Sequence, residues 1–340
     1  MSETVQAVPT FLPSQELLPR GRSLKPTARE WVRHSALLLL TFFTTTFAGV
    51  MIASEANVPE PAASGFFGHL VSVPLYYFQT VADLVHQAAS NPALLLSGLT
   101  FSTALLTILT AHEMGHYLAC RYYGVTATLP FFIPAPPLFL AGTFGAFIKM
   151  KSPIPSRRAL FDIGLAGPLA GFVTLLPIAV AGILLQTKQP HAPGIGGIVF
   201  NDPLLFQAIA KLSGTNLNVD SLPHPFWMAA WIGLLVTSLN LMPVGQLDGG
   251  HGTFSLFGQR AHKIIGRIAF AVVAVTSILG FIWHGSPSGF LYTVLLGVML
   301  RVHHPAPEEA EPLGTARVVV AVITLIVFVL SFVPFPITIT

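Results

Sequence analysis

Five consecutive residues, His112-Glu113-Met114-Gly115-His116, set two imidazoles four positions apart with a carboxylate beside the first. On a helix, positions i and i+4 share a face, so both rings can reach one ion while Glu113 stands next to it. That is the geometry of a zinc hydrolase. Twelve His and nine Glu in 340 residues would produce the pattern by chance roughly 0.01 times. The plain alternative is a structural histidine pair on an apolar helix face. Against it stands the location: the motif closes an apolar run that begins at residue 93, and His and Glu are costly beside such a run unless they have partners or a function.

A further carboxylate follows at the end of another apolar run, in Asn240-Leu-Met-Pro-Val-Gly-Gln-Leu-Asp248-Gly-Gly-His251. An unpaired acid at the centre of a span costs roughly 2.5 to 3.5 kcal/mol, so something should hold Asp248. The count of spans brings this end to the same side as His112 and His116, and a carboxylate is the ordinary third partner of two imidazoles in a catalytic zinc site. An exposed turn acid before Gly249 and Gly250 is the alternative. His251 either supports Asp248 or faces solvent after the Gly-Gly turn. A His-His-carboxylate set is chemically open to other divalent ions as well.

These residues need elements to carry them, and composition names the surroundings. At 53% hydrophobic and 9% charged, with 26 Phe and mean hydropathy +0.70, the chain reads as a polytopic membrane protein in a lipid bilayer. The expected class is all-α, with about six or seven transmembrane helices. A net charge of +3 would suit nucleic acid, but Lys and Arg cluster beside apolar runs, where they set orientation, so no nucleic-acid partner is expected. The single Cys120 excludes an intramolecular disulfide framework and reads as a packed small residue.

In chain order, residues 1–34 read as a retained cytoplasmic segment, since Arg20, Arg22, Lys25, Arg29 and Arg33 precede the uncharged run 35–53. Residues 54–92 carry Glu55, Glu60 and Asp83 without Lys or Arg, which suits the outer side, and 66–85 is expected to lie on the membrane, with Tyr76 and Tyr77 as an interfacial pair. The second span, 93–119, enters from outside, so the histidines reach the cytoplasmic edge, in agreement with Arg121, Lys149, Lys151, Arg157 and Arg158. Residues 128–150 are apolar, yet Pro130, Pro134, Pro136 and Pro137 forbid a regular helix. A re-entrant extended segment or β-hairpin packed over the motif is expected, because irregular backbone at membrane depth survives only when buried in protein or lining a watery cavity.

The third span, 159–186, carries Gly167 and Gly171, a small-xxx-small pair that admits another helix. Residues 187–225 read as an outer loop with His191 and His224 facing solvent, and 226–242 as the fourth span. Beyond Asp248, Arg260, His262, Lys263 and Arg267 mark a cytoplasmic stretch. Then come 268–283, a short 290–300, the adjacent His303 and His304, an acidic loop at 308–311 and a last span at 318–332. This divides the chain into a cytoplasmic segment (1–34), a first helix with an outer interfacial segment (35–92), a catalytic core (93–260) and C-terminal helices (261–340).

With the motif at 112–116, the run Asn240-Leu-Met-Pro243-Val-Gly-Gln-Leu247-Asp248-Gly249, and the Gly167-Pro168 helix between them, the chain resembles the site-2 family of zinc intramembrane metalloproteases over residues 93–260. The stretch Gly-Thr-Phe-Gly-Ala-Phe at 142–147 is similar to the branch without an inserted peptide-binding domain. The resemblance implies cleavage of transmembrane segments of other membrane proteins, usually as a second cut in regulated proteolysis. It implies one Zn2+ held by His112, His116 and Asp248, Glu113 as the general base, and Asn240 as a donor to the oxyanion or a positioner of substrate. A bacterial plasma membrane is expected from the branch and the compactness of the chain. A divalent-metal transporter and a catalytically silent membrane scaffold are the competing classes. Concentration of the ligands at one depth opposes the first and the presence of Glu113 opposes the second. Substrate, scissile bond, upstream protease and oligomeric state are left open by the sequence.

Overall fold

A computed structural model describes residues 26–54, 65–186, 198–215, 217, 223–302 and 312–339. His191, His303, His304, the acidic 308–311 patch and most of the 1–34 segment lie outside the described residues.

Helix α1 (Ala28–Ala53) starts seven residues before the uncharged run because Thr27 and Glu30 form a capping box: the Glu30 amide donates to Thr27 Oγ1 at 3.2 Å and the Thr27 amide to Glu30 Oε2 at 2.9 Å. Helix α2 (Gly65–Ser90) follows, and the Tyr77 hydroxyl donates to the Pro137 carbonyl at 2.9 Å, so one member of the expected interfacial tyrosine pair holds a loop. Helix α3 (Pro92–Tyr122) opens on an Asn91 cap with Pro92 at its first turn. At about 1.5 Å per residue, His112 stands about 30 Å along it, one bilayer core from its start.

The proline-rich stretch forms strands β1 (Phe131–Pro134) and β2 (Thr143–Phe147), an antiparallel hairpin with Phe131 opposite Phe147. Helix α1 lies along β1. His34 Nδ1 is 2.9 Å from the Pro130 carbonyl, the Arg33 guanidinium sits 5.1 Å over the Phe131 ring, and Thr44 Oγ1 donates to the Gly142 carbonyl at 2.7 Å. Among the described residues this sheet has only these two strands.

Helix α4 (Arg157–Leu184) is capped by Ser156. Strand β3 (Ile198–Phe200) and helix α5 (Leu204–Ser213) come next, where only a loop is expected from sequence. Helix α5 forms because Leu205, Phe206 and Ala210 share a face that docks on the bundle, with Phe206 edge-on to Trp227 at 5.3 Å. Helix α6 (Pro225–Asn240) is capped by His224, whose Nδ1 accepts from the Phe226 amide at 3.2 Å. This half-buried histidine is therefore not the solvent-facing residue that its loop position suggests.

Helix α7 (Asp248–His284) is interrupted at Gly258, with φ 77° and ψ 177°, a conformation open to glycine. The carbonyls freed at this break, of Ser255 and Leu256, accept from the Arg157 guanidinium. Helices α8 (Ser288–Met299) and α9 (Thr315–Ser331) complete the bundle, and strand β4 (Ile337–Ile339) pairs with β3.

Among the described residues the fold is mostly helical with two small sheets, and four helices are long and apolar enough to cross a membrane: α1, α3, α4 and α7. Helix α6, at 16 residues, is shorter than a bilayer core, and its Trp227 to Leu234 stretch is wholly buried. The core sits between α3, α4 and α6, where Leu105, Ile108, Phe161, Leu175, Met228 and Trp231 are nearly or fully buried. Cys120 is buried beside Val125, Ala159 and Ile163, a packing residue as its surroundings in sequence suggest.

Candidate metal centre

Helical spacing alone brings His112 and His116 to one face of α3, but the direction of their ring nitrogens depends on α4. The His116 Nδ1–H donates to the Ile163 carbonyl at 2.7 Å, which assigns the proton to Nδ1 and leaves the Nε2 lone pair facing the interior. Asp248 arrives from elsewhere, at the first turn of α7, where the helix dipole favours a negative charge. The turns of residues 241–247 deliver it: Gly249 packs so closely on the Leu241 carbonyl that no side chain fits there.

Three potential ligand atoms converge. His112 Nε2 and His116 Nε2 are 3.1 Å apart, and Asp248 Oδ2 lies 3.3 Å from the first and 3.4 Å from the second. Tetrahedral ligands at about 2.0 to 2.2 Å from a zinc ion stand about 3.3 Å from one another, so this triangle has the right size for one. The donors are also of the right kind, two imidazoles and one carboxylate oxygen, which leaves a fourth position open. His112, His116 and Glu113 are all less than 9% exposed. No other group of three described His, Cys, Asp or Glu residues could hold an ion in this way.

Glu113 Oε1 is 3.9 Å from His112 Nε2, beside the triangle. Its carboxylate lies close to the backbone of Ile148, just past the end of β2, so the hairpin comes near the proposed base. Asn240, the last residue of α6, places its amide nitrogen 3.3 Å from His112 Nε2. The structure thus gathers His112, Glu113, His116, Asn240 and Asp248 at one point. His251 stays one turn away, its Cβ packed against Gly164.

Gly167 and Gly171 are read from the sequence as a helix contact, and the helix they contact is α3 at the motif. A Cβ on Gly167 would collide with the His116 ring, and one on Gly171 would lie 3.1 Å from His112 Cβ. The small residues of α4 are the floor of the histidine site. Sequence reading also misses the Ile163 carbonyl and the Ile148 amide, because backbone groups carry no mark in a sequence. A cross-bundle tie is missed too: Arg317 of α9 binds Asp162 Oδ1 at 2.9 Å and Oδ2 at 2.6 Å, and Asp162 also accepts from the Tyr123 hydroxyl. Asp162 directly precedes Ile163, so this tie secures the turn of α4 that orients His116.

The profile of Peptidase family M50 matches residues 100–282, more than half of the chain and the whole of the site. The chain belongs to peptidase family M50. Among relatives of this M50 protein, the probable zinc metalloprotease EGY2, chloroplastic, of Arabidopsis thaliana is 30% identical over 83% of the chain and 50% of its own length. The probable zinc metalloprotease EGY1, chloroplastic, of Oryza sativa subsp. japonica is 30% identical over 91% of the chain and 51% of its own length. EGY1 of Arabidopsis thaliana is likewise 30% identical, over 91% of the chain and 54% of its own length. The M50 chain therefore spans about half the length of the curated relatives it matches. Their chloroplastic names give no support to the bacterial plasma membrane expected from sequence.

Proposed function

We propose that this M50 chain is a zinc-dependent intramembrane endopeptidase that hydrolyses peptide bonds within transmembrane segments of other membrane proteins, as a second cut in regulated proteolysis. The observation that carries the reading is the convergence of His112, His116 and Asp248 to a zinc-sized triangle with Glu113 beside it, about one bilayer thickness along an apolar helix. Residues 93–260 form the catalytic core. The site lies toward the basic end of α3 and α4, near Arg121, Lys149, Lys151, Arg157 and Arg158, which is the cytoplasmic side by charge bias.

His112, His116 and Asp248 would hold the zinc, which when bound would supply Lewis acidity toward a peptide carbonyl and toward water. Glu113, buried beside the ligand triangle, takes the proton of the attacking water and delivers it to the leaving amine. The Asn240 amide donates to the oxyanion that develops at the carbonyl. His116 keeps its orientation through the Ile163 carbonyl. Asp248→Asn preserves shape but removes the charge that balances the ion. Bound zinc measured by elemental analysis is expected to fall from about one per chain to under one tenth, with cleavage of a single-span substrate lost in parallel. Full zinc occupancy in that variant would remove Asp248 from the ligand set.

A helical substrate hides its peptide bonds, so a segment must be held unwound. Among the described residues strand β2 carries an edge with no strand neighbour, exposes Phe144 and Phe147, and is followed by Ile148, whose backbone lies close to Glu113. A substrate added to this edge as a strand lies beside the base. Phe144→Pro or Phe147→Pro is expected to lower turnover about tenfold or more while zinc content is unchanged, because proline removes a backbone donor from the edge. Unchanged cleavage of helical substrates would show that they are held elsewhere.

A further inference from the structure

Away from the metal centre, a cavity of about 210 Å³ opens where the second part of α7 meets the turn after α6 and the end of α8. Gln259, His262, Lys263 and Arg267 line one side, Leu300 and Val302 the other. Gly266 also lines it: a Cβ there would lie a tight 3.2 Å from the Pro243 carbonyl, so the glycine lets α7 settle against the 243–244 turn, with Lys263 and Arg267, one turn apart, flanking the notch. His262 is buried in the wall with Nδ1 3.0 Å from Thr253 Oγ1.

Among the described residues no carboxylate pairs with the cations of this notch. From 249 to 307 the chain has no Asp or Glu, and neither Lys263 nor Arg267 forms an ion pair with a described carboxylate. Two cations, an amide and an imidazole converging on one concavity make a receptor for an oxyanion. The surrounding surface says which kind. Immediately beside Lys263 and Arg267 on the helix run Ile264, Ile268, Val272 and Val275, each more than half exposed and spaced four, four and three residues apart. This apolar stripe leads directly away from the cationic notch, and the next charged residue of the chain is Arg301. A soluble phosphate has no use for such a stripe, whereas a lipid needs both parts.

We propose that this notch binds the phosphate-ester headgroup of an anionic phospholipid, with the headgroup between Lys263 and Arg267 and an acyl chain along the Ile264, Ile268, Val272 and Val275 stripe. Gly245, in the turn that leads to Asp248, also lines the cavity, and its carbonyl lies against Gly250 in the first turn of α7. A headgroup in the notch therefore buttresses the segment that presents Asp248.

The experiment uses the full chain, stripped of lipid in neutral detergent and titrated with phosphatidylglycerol, phosphatidylcholine or inorganic phosphate, with bound lipid counted by native mass spectrometry. Wild type is expected to take up one phosphatidylglycerol per chain in preference to phosphatidylcholine, with 10 mM inorganic phosphate failing to displace it. Lys263→Gln/Arg267→Gln should weaken that uptake about tenfold or more. Lys263→Arg/Arg267→Lys should keep it, and Arg260→Gln, outside the lining, should leave it unchanged. Unaltered zinc content and unfolding midpoint show that the double glutamine variant is folded. If it takes up phosphatidylglycerol as wild type does, or wild type does not prefer the anionic lipid, the site is refuted. Displacement by inorganic phosphate would instead make it a site for soluble phosphate esters and overturn the lipid assignment.

Discussion

Glu113→Gln is expected to bind about one zinc per chain, as wild type does, and to cleave single-span substrates about 10²- to 10⁴-fold more slowly, the usual contribution of a positioned general base. The substitution keeps the size of the side chain and leaves the three ligand atoms in place. His112 Nε2, His116 Nε2 and Asp248 Oδ2 form their triangle without Glu113, which stands 3.9 Å to one side. What is lost is the ability to accept a proton from water and return it to the leaving amine. Zinc analysis and product mass spectrometry on the same preparation check this. Cleavage at the wild-type rate would mean that another group serves as the base. Loss of zinc in this variant would mean that Glu113 holds the ion, in which case the triangle is incomplete as described. The experiment also separates the competing classes, since a transporter would move zinc across vesicles with no proteolysis in either protein.

The second large effect is expected at a residue with no functional group. Gly167→Ala adds one methyl, and that methyl falls on the imidazole of His116, closer than any real carbon approaches a ring. Because His116 is pinned by the Ile163 carbonyl on the same helix, it cannot swing aside without giving up that hydrogen bond, and α4 cannot retreat without opening the close contact of Gly115 with Ala166. The chain must give up ligand geometry or helix packing. Zinc affinity is expected to fall about 10- to 100-fold, the scale on which loss of ligand support acts, and overpacking should cost roughly 1 to 3 kcal/mol of stability. Metal titration with a competing chelator, together with thermal unfolding of the metal-free protein, reads the two effects separately. Gly171→Ala is the graded companion. Its methyl would sit 3.1 Å from His112 Cβ, a tight but less severe contact, so a smaller loss is expected. Wild-type zinc affinity in Gly167→Ala would show that α4 moves freely over α3 and does not set the site.

Both expectations rest on the same physical fact, that a metal site at membrane depth is built from apposed helices. Small residues on α4 allow the histidine helix to come close, a backbone carbonyl fixes one tautomer, and the Arg317–Asp162–Tyr123 tie holds the α4 turn from which that carbonyl projects. The hairpin reaches the same point, since the backbone of Ile148, just past the end of β2, lies close to Glu113.

Much of this was determined by the sequence alone. Apolar runs without charge specify membrane-length helices because lipid tolerates neither exposed backbone nor unpaired charge, and the uncharged runs inside α1, α3 and α4 and at 268–283 in the second part of α7 follow from that rule. Helical spacing specifies that His112 and His116 share a face, and four prolines in eight residues specify that 130–137 is not a regular helix. These are local properties, written in periods of a few residues.

Tertiary structure alone decided the rest. Asp248 is 132 residues from His116, and only the packing of α7 on α4 through Gly164 and of the 241–247 turn on Gly249 brings its oxygen to 3.4 Å. The partner of Gly167 and Gly171, the backbone groups that orient His116 and Glu113, and the pairing of β3 with a strand at the far end of the chain leave no local trace. A backbone carbonyl is the same in every residue and a glycine reports only room, so what fills that room is known only when the helices are packed.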